Sequence, residues 1–332
     1  MKICIYGVGA VGGFIGAQLA HAGHVVNAVA HGATLKALCN HGLRLESDGI
    51  LFTENVCATD DPTELGVQDL VIVAVKSTAL LQVAQKISPL IGPDTIVMTA
   101  MNGVPWWFFE DFGGEHQGMR LTSVDPEGAI AAAIPARNVV GCVVHGSFSL
   151  KEPGFARHGF GKRLIIGEPN GSDSERIRNL EQLLGKADLD IVVSNKIQYD
   201  IWFKLWGNMT MNPVSAITGA TCDLILDDPL VKKFCLDIMA EAGRIGAMIG
   251  CPISQSGEER NAVTRKLGAF KTSMLQDIEA GRAVELDALV STVREIGQKV
   301  GESTPNIDAL LGLARLQARV RGLYPWESVQ SC

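Results

Sequence analysis

Lys204, Asn208 and Asn212 fall at i, i+4 and i+8 within Tyr199-Asp-Ile-Trp-Phe-Lys-Leu-Trp-Gly-Asn-Met-Thr-Met-Asn-Pro213. On a helix these three line one face. Trp202, Phe203, Leu205, Trp206 and Met209 crowd the remainder with apolar side chains. A polar stripe can simply face solvent. A lysine and two amides set between tryptophans are costly, however, unless they open into a cleft. A further cluster runs Lys271-Thr-Ser-Met-Leu-Gln-Asp277, followed by Ala283-Val-Glu-Leu-Asp287. Its Ser273, Gln276, Asp277 and Glu285 suit helix caps, solvated charges or a binding site, and spacing alone does not choose.

The other chemical signal is at the start. Ile3 to Tyr6 reads as a strand, Gly7, Gly9 and Gly12 follow as G-x-G-x-x-G, and an apolar helix comes next. Strand, glycine turn and helix make a dinucleotide-binding fingerprint. Gly7 permits the turn, Gly9 lets a pyrophosphate approach the backbone, and Gly12 lets the helix lie on the strand. The backbone of Gly7, Val8, Gly9, Ala10, Val11 and Gly12 would then hold phosphates at a helix N-terminus. NAD-binding domains place an acid at the end of the second strand, on the ribose hydroxyls. Here that strand ends Ala30-His31-Gly32, and the first acid in the chain is Glu46. Without that carboxylate, NADP(H) is favoured over NAD. His31 reads as a 2′-phosphate neighbour or as a plain surface residue. Lys76 and Asn102-Gly103 end two later strands, at the edge where such sheets bind cofactors. Taken singly, they read equally as a solvated terminus and a turn.

The elements that position these residues alternate in the first half. Val25 to Ala30, Asp69 to Val75 and Thr95 to Ala100 read as strands, with a helix from Leu80 to Ile91 before the last. Strands spaced by helices imply a parallel, doubly wound sheet. Val139 to Leu150 and Arg163 to Gly167 read as added antiparallel strands, with Pro153, Gly154, Gly159 and Gly161 between them. Ser172 to Lys186 reads as a helix and Ile191 to Val193 as a last strand. Beyond Ser194 the pattern is helical. The expected fold is α/β: a Rossmann doubly wound sheet with added strands over 1–193, and an all-α domain over 194–332.

The 332 residues are 47% hydrophobic and 20% charged, ordinary for a soluble enzyme. A net charge of −7 argues against a nucleic-acid or anionic-membrane surface. Eight cysteines form no C-x-x-C pair, which suits buried thiols and a reducing cytoplasm, with Cys332 exposed. No apolar run reaches the roughly 20 residues that span a bilayer. Lys2 and the apolar stretch after it could imitate a signal peptide, but the regular glycines fit a Rossmann turn better. The histidines lack metal-ligand spacing, so no metal is expected.

Together the motifs resemble the ketopantoate reductase (2-dehydropantoate 2-reductase) family over essentially the whole chain. The matching pieces are GVGAVG, Lys76, Asn102-Gly103, K-x-x-x-N-x-x-x-N at 204 to 212, SMLQD at 273 to 277 and VELD at 284 to 287. The resemblance implies NADPH-dependent reduction of a branched 2-oxo acid in pantothenate synthesis, in a cleft between the two domains. It implies Lys204 as general acid and Glu285 as the group that holds and orients substrate. Asn102, Asn208, Asn212 and Ser273 would contact substrate or position Lys204, and Lys76 and Asn102 would lie near the cofactor. The residue types agree: hydride addition leaves an alkoxide, which an ammonium stabilises and protonates. A homodimer is one assembly open to such a chain. Three departures stand out. His31 replaces a frequent Arg, Cys222 replaces an Asn found in some members, and Pro105-Trp-Trp-Phe-Phe109 is unusually aromatic. Reduction of another, bulkier 2-oxo acid and nucleotide binding without turnover are therefore the competing readings.

Overall fold

The computed structural model describes residues 1–326, so the reading of Cys332 as exposed lies outside the described residues. The chain forms two compact units. One comprises Met1–Arg120 and Glu127–Asp200, the other Leu121–Pro126 and the chain from Ile201 onward.

The first unit is built on a ten-stranded sheet. Its strands are β1 (Ile3–Tyr6), β2 (Val26–Val29), β3 (Leu43–Ser47), β4 (Ile50–Glu54), β5 (Cys57–Thr59), β6 (Leu70–Val73), β7 (Ile96–Ala100), β8 (Val139–Glu152), β9 (Phe155–Gly167) and β10 (Asp190–Val193). The run β5-β2-β1-β6-β7-β8 is parallel throughout. This is the doubly wound order, with a switch point beside β1. β1, β6 and β7 are buried along their whole length, as a sheet covered on both faces requires.

The added strands β8 and β9 form the expected antiparallel pair. Gly154 takes φ +70° at their turn. Gly159 and Gly161 lie inside β9 rather than between strands. A Cβ on Gly146 of β8 would sit 2.2 Å from Gly161 O, so the two backbones touch where the register slips. Glycine here makes a bulge instead of ending the strand. The expected helix from Leu80 to Ile91 stops at Lys86 and continues as a 3-10 turn, Ser88–Leu90, at Pro89.

Elements absent from the sequence reading lie between residues 32 and 59: helix Gly32–His41, the hairpin β3–β4 and the short strand β5. Asp48 and Gly49 both have positive φ and join β3 to β4 as a two-residue turn. Asp-Gly after the alternating run Leu43 to Ser47 is the signal that could have found it.

In the second unit, the described chain after Asp200 is helical. Helix Ile197–Thr218, which begins in the first unit, carries Lys204. Cys222–Asp227, Pro229–Met248, Gly257–Arg265, Ser273–Glu279, Thr292–Val300 and Pro305–Val320 follow. The segment 121–126 joins this unit because Glu295 holds it. The Glu295 carboxylate accepts from Thr122 N at 2.8 Å, Thr122 Oγ1 at 3.0 Å and Ser123 N at 2.8 Å. Burial opposes the charge on Glu295, but hydrogen bonds from Ser123 and Thr122 outweigh it and hold its pKa below the ordinary 4.5.

That shift sets a sign. A carboxylate with a depressed folded pKa contributes stability above its unfolded value and loses it as pH falls through the folded one. Glu295→Gln should therefore cost about 1–2 kcal/mol near pH 7, the scale of hydrogen bonds to a charge. The gap in Tm between wild type and variant should close as pH drops below about 4.5. Thermal melts from pH 3.5 to 7 measure it, and a gap that widens in acid would contradict the assignment.

Candidate active site

Four parallel neighbours, β7, β6, β1 and β2, end at one edge of the sheet. Asn102 follows β7, Lys76 follows β6, Gly7 follows β1 and His31 follows β2. The glycines divide their work as their spacing requires. Gly7 has φ +94°, and a Cβ there would strike Val75 Cγ1 at 2.5 Å. A Cβ on Gly12 would lie 2.1 Å from Gly7 O and 3.0 Å from Ala74 Cβ, so only glycine lets helix Ala10–His21 seat on the sheet. A Cβ on Gly9 would meet nothing within 4 Å. The open space over Gly9 faces a helix start with no side-chain cap and no acid in its first turn. Unpaired N–H groups and positive dipole are what a pyrophosphate needs. The cradle fits a dinucleotide.

Beside it lies a cavity of about 420 Å³ lined by Tyr6, Gly7, Val8, Gly9, Val29, Ala30, His31, Thr34, Val75, Ala79 and residues of helix Leu80–Lys86, including Lys86. Of the predicted cofactor residues, Gly7, Val8, Gly9 and His31 reach this wall. Ala10, Val11, Gly12, Lys76 and Asn102 do not line it. Gly12 is spent on packing, while Lys76 and Asn102 are half-buried at neighbouring strand ends. His31 is exposed at the N-cap of helix Gly32–His41. Lys86 was not singled out in the sequence because a lysine in a last helical turn ordinarily serves the helix dipole. It also lies near Asp61, whose carboxyl is held below its ordinary value chiefly by hydrogen bonds from Thr63, with a contribution from Lys86.

In the second unit, Lys204 and Asn208 are half-buried and Asn212 is 6% exposed. Two indoles set the roll of their helix. Trp202 Nε1 donates to Ala242 O at 3.3 Å, and Trp206 Nε1 donates to Met239 O at 2.7 Å. Both carbonyls belong to helix Pro229–Met248. With the tryptophans turned toward it, the Lys204 stripe faces elsewhere. Pro213 inside the helix removes one backbone bond just after Asn212.

Asn212 Nδ2 lies 3.5 Å from Ser273 Oγ, so this part of the predicted constellation comes together. Ser273 opens helix Ser273–Glu279, capped by Thr272, whose Oγ1 accepts from Leu275 N. Asp277 is structural: its carboxylate pairs with Arg282 Nε at 3.0 Å, and Arg282 N donates to its carbonyl. That turn leads straight to Glu285, which is half-buried between the buried Val284 and Leu286. Val284 N donates to Leu323 O, and Tyr324 Oη donates to Asp287 Oδ1 at 2.6 Å. A π-helical turn, Asp287–Ser291, follows. Such turns are frequent at functional sites.

Family models cover both units. "Ketopantoate reductase PanE/ApbA" matches residues 3–171 and "Ketopantoate reductase PanE/ApbA C terminal" matches 196–318. A 2-dehydropantoate 2-reductase of Mesorhizobium japonicum is 44% identical over 98% of this chain and 100% of its own. A crystal structure of a candidate ketopantoate reductase from Ralstonia solanacearum MolK2 is 61% identical, with TM-score 0.94 over 97% of this chain and 99% of that one. The structure of 2-dehydropantoate 2-reductase from Geobacter metallireducens GS-15 is 27% identical, with TM-score 0.83 over 95% and 99%. The chain belongs to the ketopantoate reductase family.

The departures from the ketopantoate reductase pattern now have places. Cys222 is buried at the start of helix Cys222–Asp227, where burial pushes its thiol up to about 11 and makes it inert. Trp107 is core: it packs on Gly141 and donates to Thr99 Oγ1 at 3.2 Å. Trp106 is 4% exposed, and its Nε1 lacks a hydrogen-bond partner among the described residues. Seven described cysteines are free, five of them buried.

Two variants test the two units separately. A Cβ at Gly246 would lie 2.3 Å from Trp202 Nε1 and 2.7 Å from Cys251 O. Gly246→Ala should cost about 1–3 kcal/mol, typical of overpacking. It should also lower kcat by rolling the Lys204 helix, and adding Trp202→Phe should recover part of both losses. Purely additive losses in melts and kinetics would break that link. On the other unit, Lys86→Ala should weaken NADPH binding about 2- to 5-fold, the scale of an exposed charge contact. NADH binding should be unchanged, as read by cofactor fluorescence. An equal effect on both would remove Lys86 from the 2′-phosphate.

Proposed function

We propose that the chain is an NADP(H)-dependent oxidoreductase that reduces 2-dehydropantoate to pantoate, in pantothenate synthesis. The observation that carries the reading is the joint occurrence of the open, uncapped Gly9 cradle and the Lys204–Asn208–Asn212 face with Ser273 against Asn212. Residues 1–193 serve the dinucleotide in this reading and 194–332 the substrate. Gly7 to Gly12 present the pyrophosphate site, and His31 with Lys86 present positive or donor groups where no acid ends β2. Bound NADP(H) supplies the hydride for C2.

The chain's own groups do the rest. Lys204 holds the 2-oxo oxygen through its ammonium, stabilises the alkoxide as it forms and protonates it. Asn208 and Asn212 share the face and orient the substrate with neutral donors, so no competing anion enters the stripe. Ser273 supplies a hydroxyl beside Asn212. Glu285 accepts from a substrate hydroxyl and keeps Lys204 charged. Asn102 and Lys76 serve the cofactor from the strand ends of the first unit. Trp202, Leu205, Trp206 and Met209 are buried away from the stripe and anchor the helix that presents it. The free thiols suit the reducing cytoplasm in which we place the enzyme. Among the described residues no helix is long and apolar enough to cross a membrane. A homodimer remains part of the proposal, and light scattering across a concentration series measures it.

Assays with a panel of 2-oxo acids against NADPH and NADH decide the substrate. Ketopantoate with NADPH should give the highest kcat/KM, and a stronger preference for an aromatic 2-oxo acid would move the chain to a different reductase. Lys204→Ala should lower kcat by roughly 10²-fold or more, as loss of a general acid does. NADPH affinity should be retained, and Glu285→Ala should raise KM. Near-normal turnover in Lys204→Ala would take that lysine out of the mechanism.

A further inference from the structure

Arg260 lies on helix Gly257–Arg265, in a stretch the motifs leave unassigned. Its guanidinium rests on the helix that carries Lys204. A Cβ on Gly207 would lie 2.9 Å from Arg260 Nε, 3.2 Å from Nη2 and 3.4 Å from Cζ. The same guanidinium sits 5.4 Å from the centroid of the Phe203 ring. Helical geometry puts Gly207 about 60° around the axis from Lys204 and about 100° from Asn208. Arg260 therefore borders the polar stripe on its flank.

Arg260 differs in its partners from most arginines of the chain. No described carboxylate pairs with it, although many arginines of this chain have one: Arg44, Arg157, Arg163, Arg176, Arg178, Arg244, Arg265, Arg282 and Arg294. Its Nε is buried and carries no hydrogen bond among the described residues. The next residue, Asn261, is 4% exposed with its Nδ2 likewise unpartnered. Gln255 Oε1, just before this helix, is a third such atom. Burial lowers the Arg260 pKa. A half-buried guanidinium with a buried, unbonded Nε and no carboxylate beside it among the described residues is costly to keep unless an anion completes it.

We propose that Arg260 is a substrate-binding residue whose guanidinium takes the carboxylate of the 2-oxo acid beside Lys204. The proposal rests on the reductase reading above and adds to it a carboxylate subsite. Phe203 and Gly207 explain the construction. The ring holds the flat face of the guanidinium. The missing side chain at 207 lets Nε come down onto the helix, which fixes the fork. A planar fork matches a carboxylate in a way that a lysine does not. Lys204 is then left to the oxygen that changes charge during reduction, and Arg260 to the charge that does not.

The test compares ketopantoate with ketopantolactone, a 2-oxo lactone that lacks the free carboxylate. Arg260→Gln should raise KM for ketopantoate at least 10-fold, hold kcat within about 3-fold and leave NADPH affinity unchanged, since hydrogen bonds to charged groups carry that scale. Its kcat/KM for the lactone should stay near wild type. Arg260→Lys should recover part of the lost affinity. Gly207→Ala keeps the charge and favours the helix, yet lifts the guanidinium, so it should show the same rise in KM. It guards against a variant that merely fails to fold. An unchanged KM for ketopantoate, or equal losses on acid and lactone, would overturn the carboxylate role and leave Arg260 as packing. The reductase reading fails separately, if wild type ignores ketopantoate. The same comparison then runs on whichever 2-oxo acid the panel shows to be turned over, against its ester.

Discussion

Two indole N–H groups fix the roll of the helix that carries Lys204. Trp202 and Trp206 donate to backbone carbonyls of Ala242 and Met239 on helix Pro229–Met248. Each carbonyl is already inside a helix, so the indoles use its second lone pair. The bond is directional and buried, and a buried donor left unmade would cost about 1–3 kcal/mol. Apolar packing alone would let a helix roll among near-equivalent seats. Two donors four residues apart, on fixed acceptors, leave one. Gly246 makes that seat possible, because any side chain there would occupy the space of the Trp202 indole nitrogen. The direction of the Lys204 stripe is therefore a consequence of where two tryptophans, which never touch substrate in this reading, find their acceptors.

In the second unit, chain reversal sets the place of Glu285. Asp277 and Arg282 close the turn after helix Ser273–Glu279, and the turn delivers Glu285. The chain near its end then comes back: Leu323 accepts from Val284 N, and Tyr324 donates to Asp287. Burial and the Asp287 carboxylate both push the Tyr324 pKa up, so the phenol stays a donor throughout the physiological range. Glu241 performs a similar service farther off. It is buried, and it accepts from Asn306 N, Asn306 Nδ2 and Ile307 N at the start of helix Pro305–Val320. Buried carboxylates are tolerable in this unit where backbone donors surround them.

How much of this was legible in the sequence depends on how local the cause is. The glycine turn was readable, because each glycine answers to atoms that the strand–turn–helix unit itself supplies, such as Gly7 O against Gly12. The i, i+4, i+8 stripe was readable because helix geometry alone aligns it. The hairpin β3–β4 was missed although Asp48-Gly49 announced it; β4 is largely exposed, so its residues give no apolar alternation to notice. Gly159 and Gly161 misled for the opposite reason. They look like breakers, but their role is set by a close approach of β8 that is not written in β9. Ser273 near Asn212 joins residues 61 apart, and only the fold could bring them to 3.5 Å. Arg260 had no sequence signal at all, since an arginine in an exposed-looking helix is ordinary until its missing partner is seen.

The two units manage charge differently. The sheet edge that would meet a dinucleotide has no acid at the end of β2, and its nearby acid, Asp61, already binds Thr63 through both backbone and side chain. Repulsion of a 2′-phosphate is thereby reduced without a dedicated arginine. The helical unit sets its cations on one helix instead: Lys204 in the polar stripe, Arg260 on Phe203 and Gly207. A 2-oxo acid carries its fixed charge on the carbon next to the one whose oxygen becomes charged. One guanidinium for the first and one ammonium for the second divides the task without asking either group to do both.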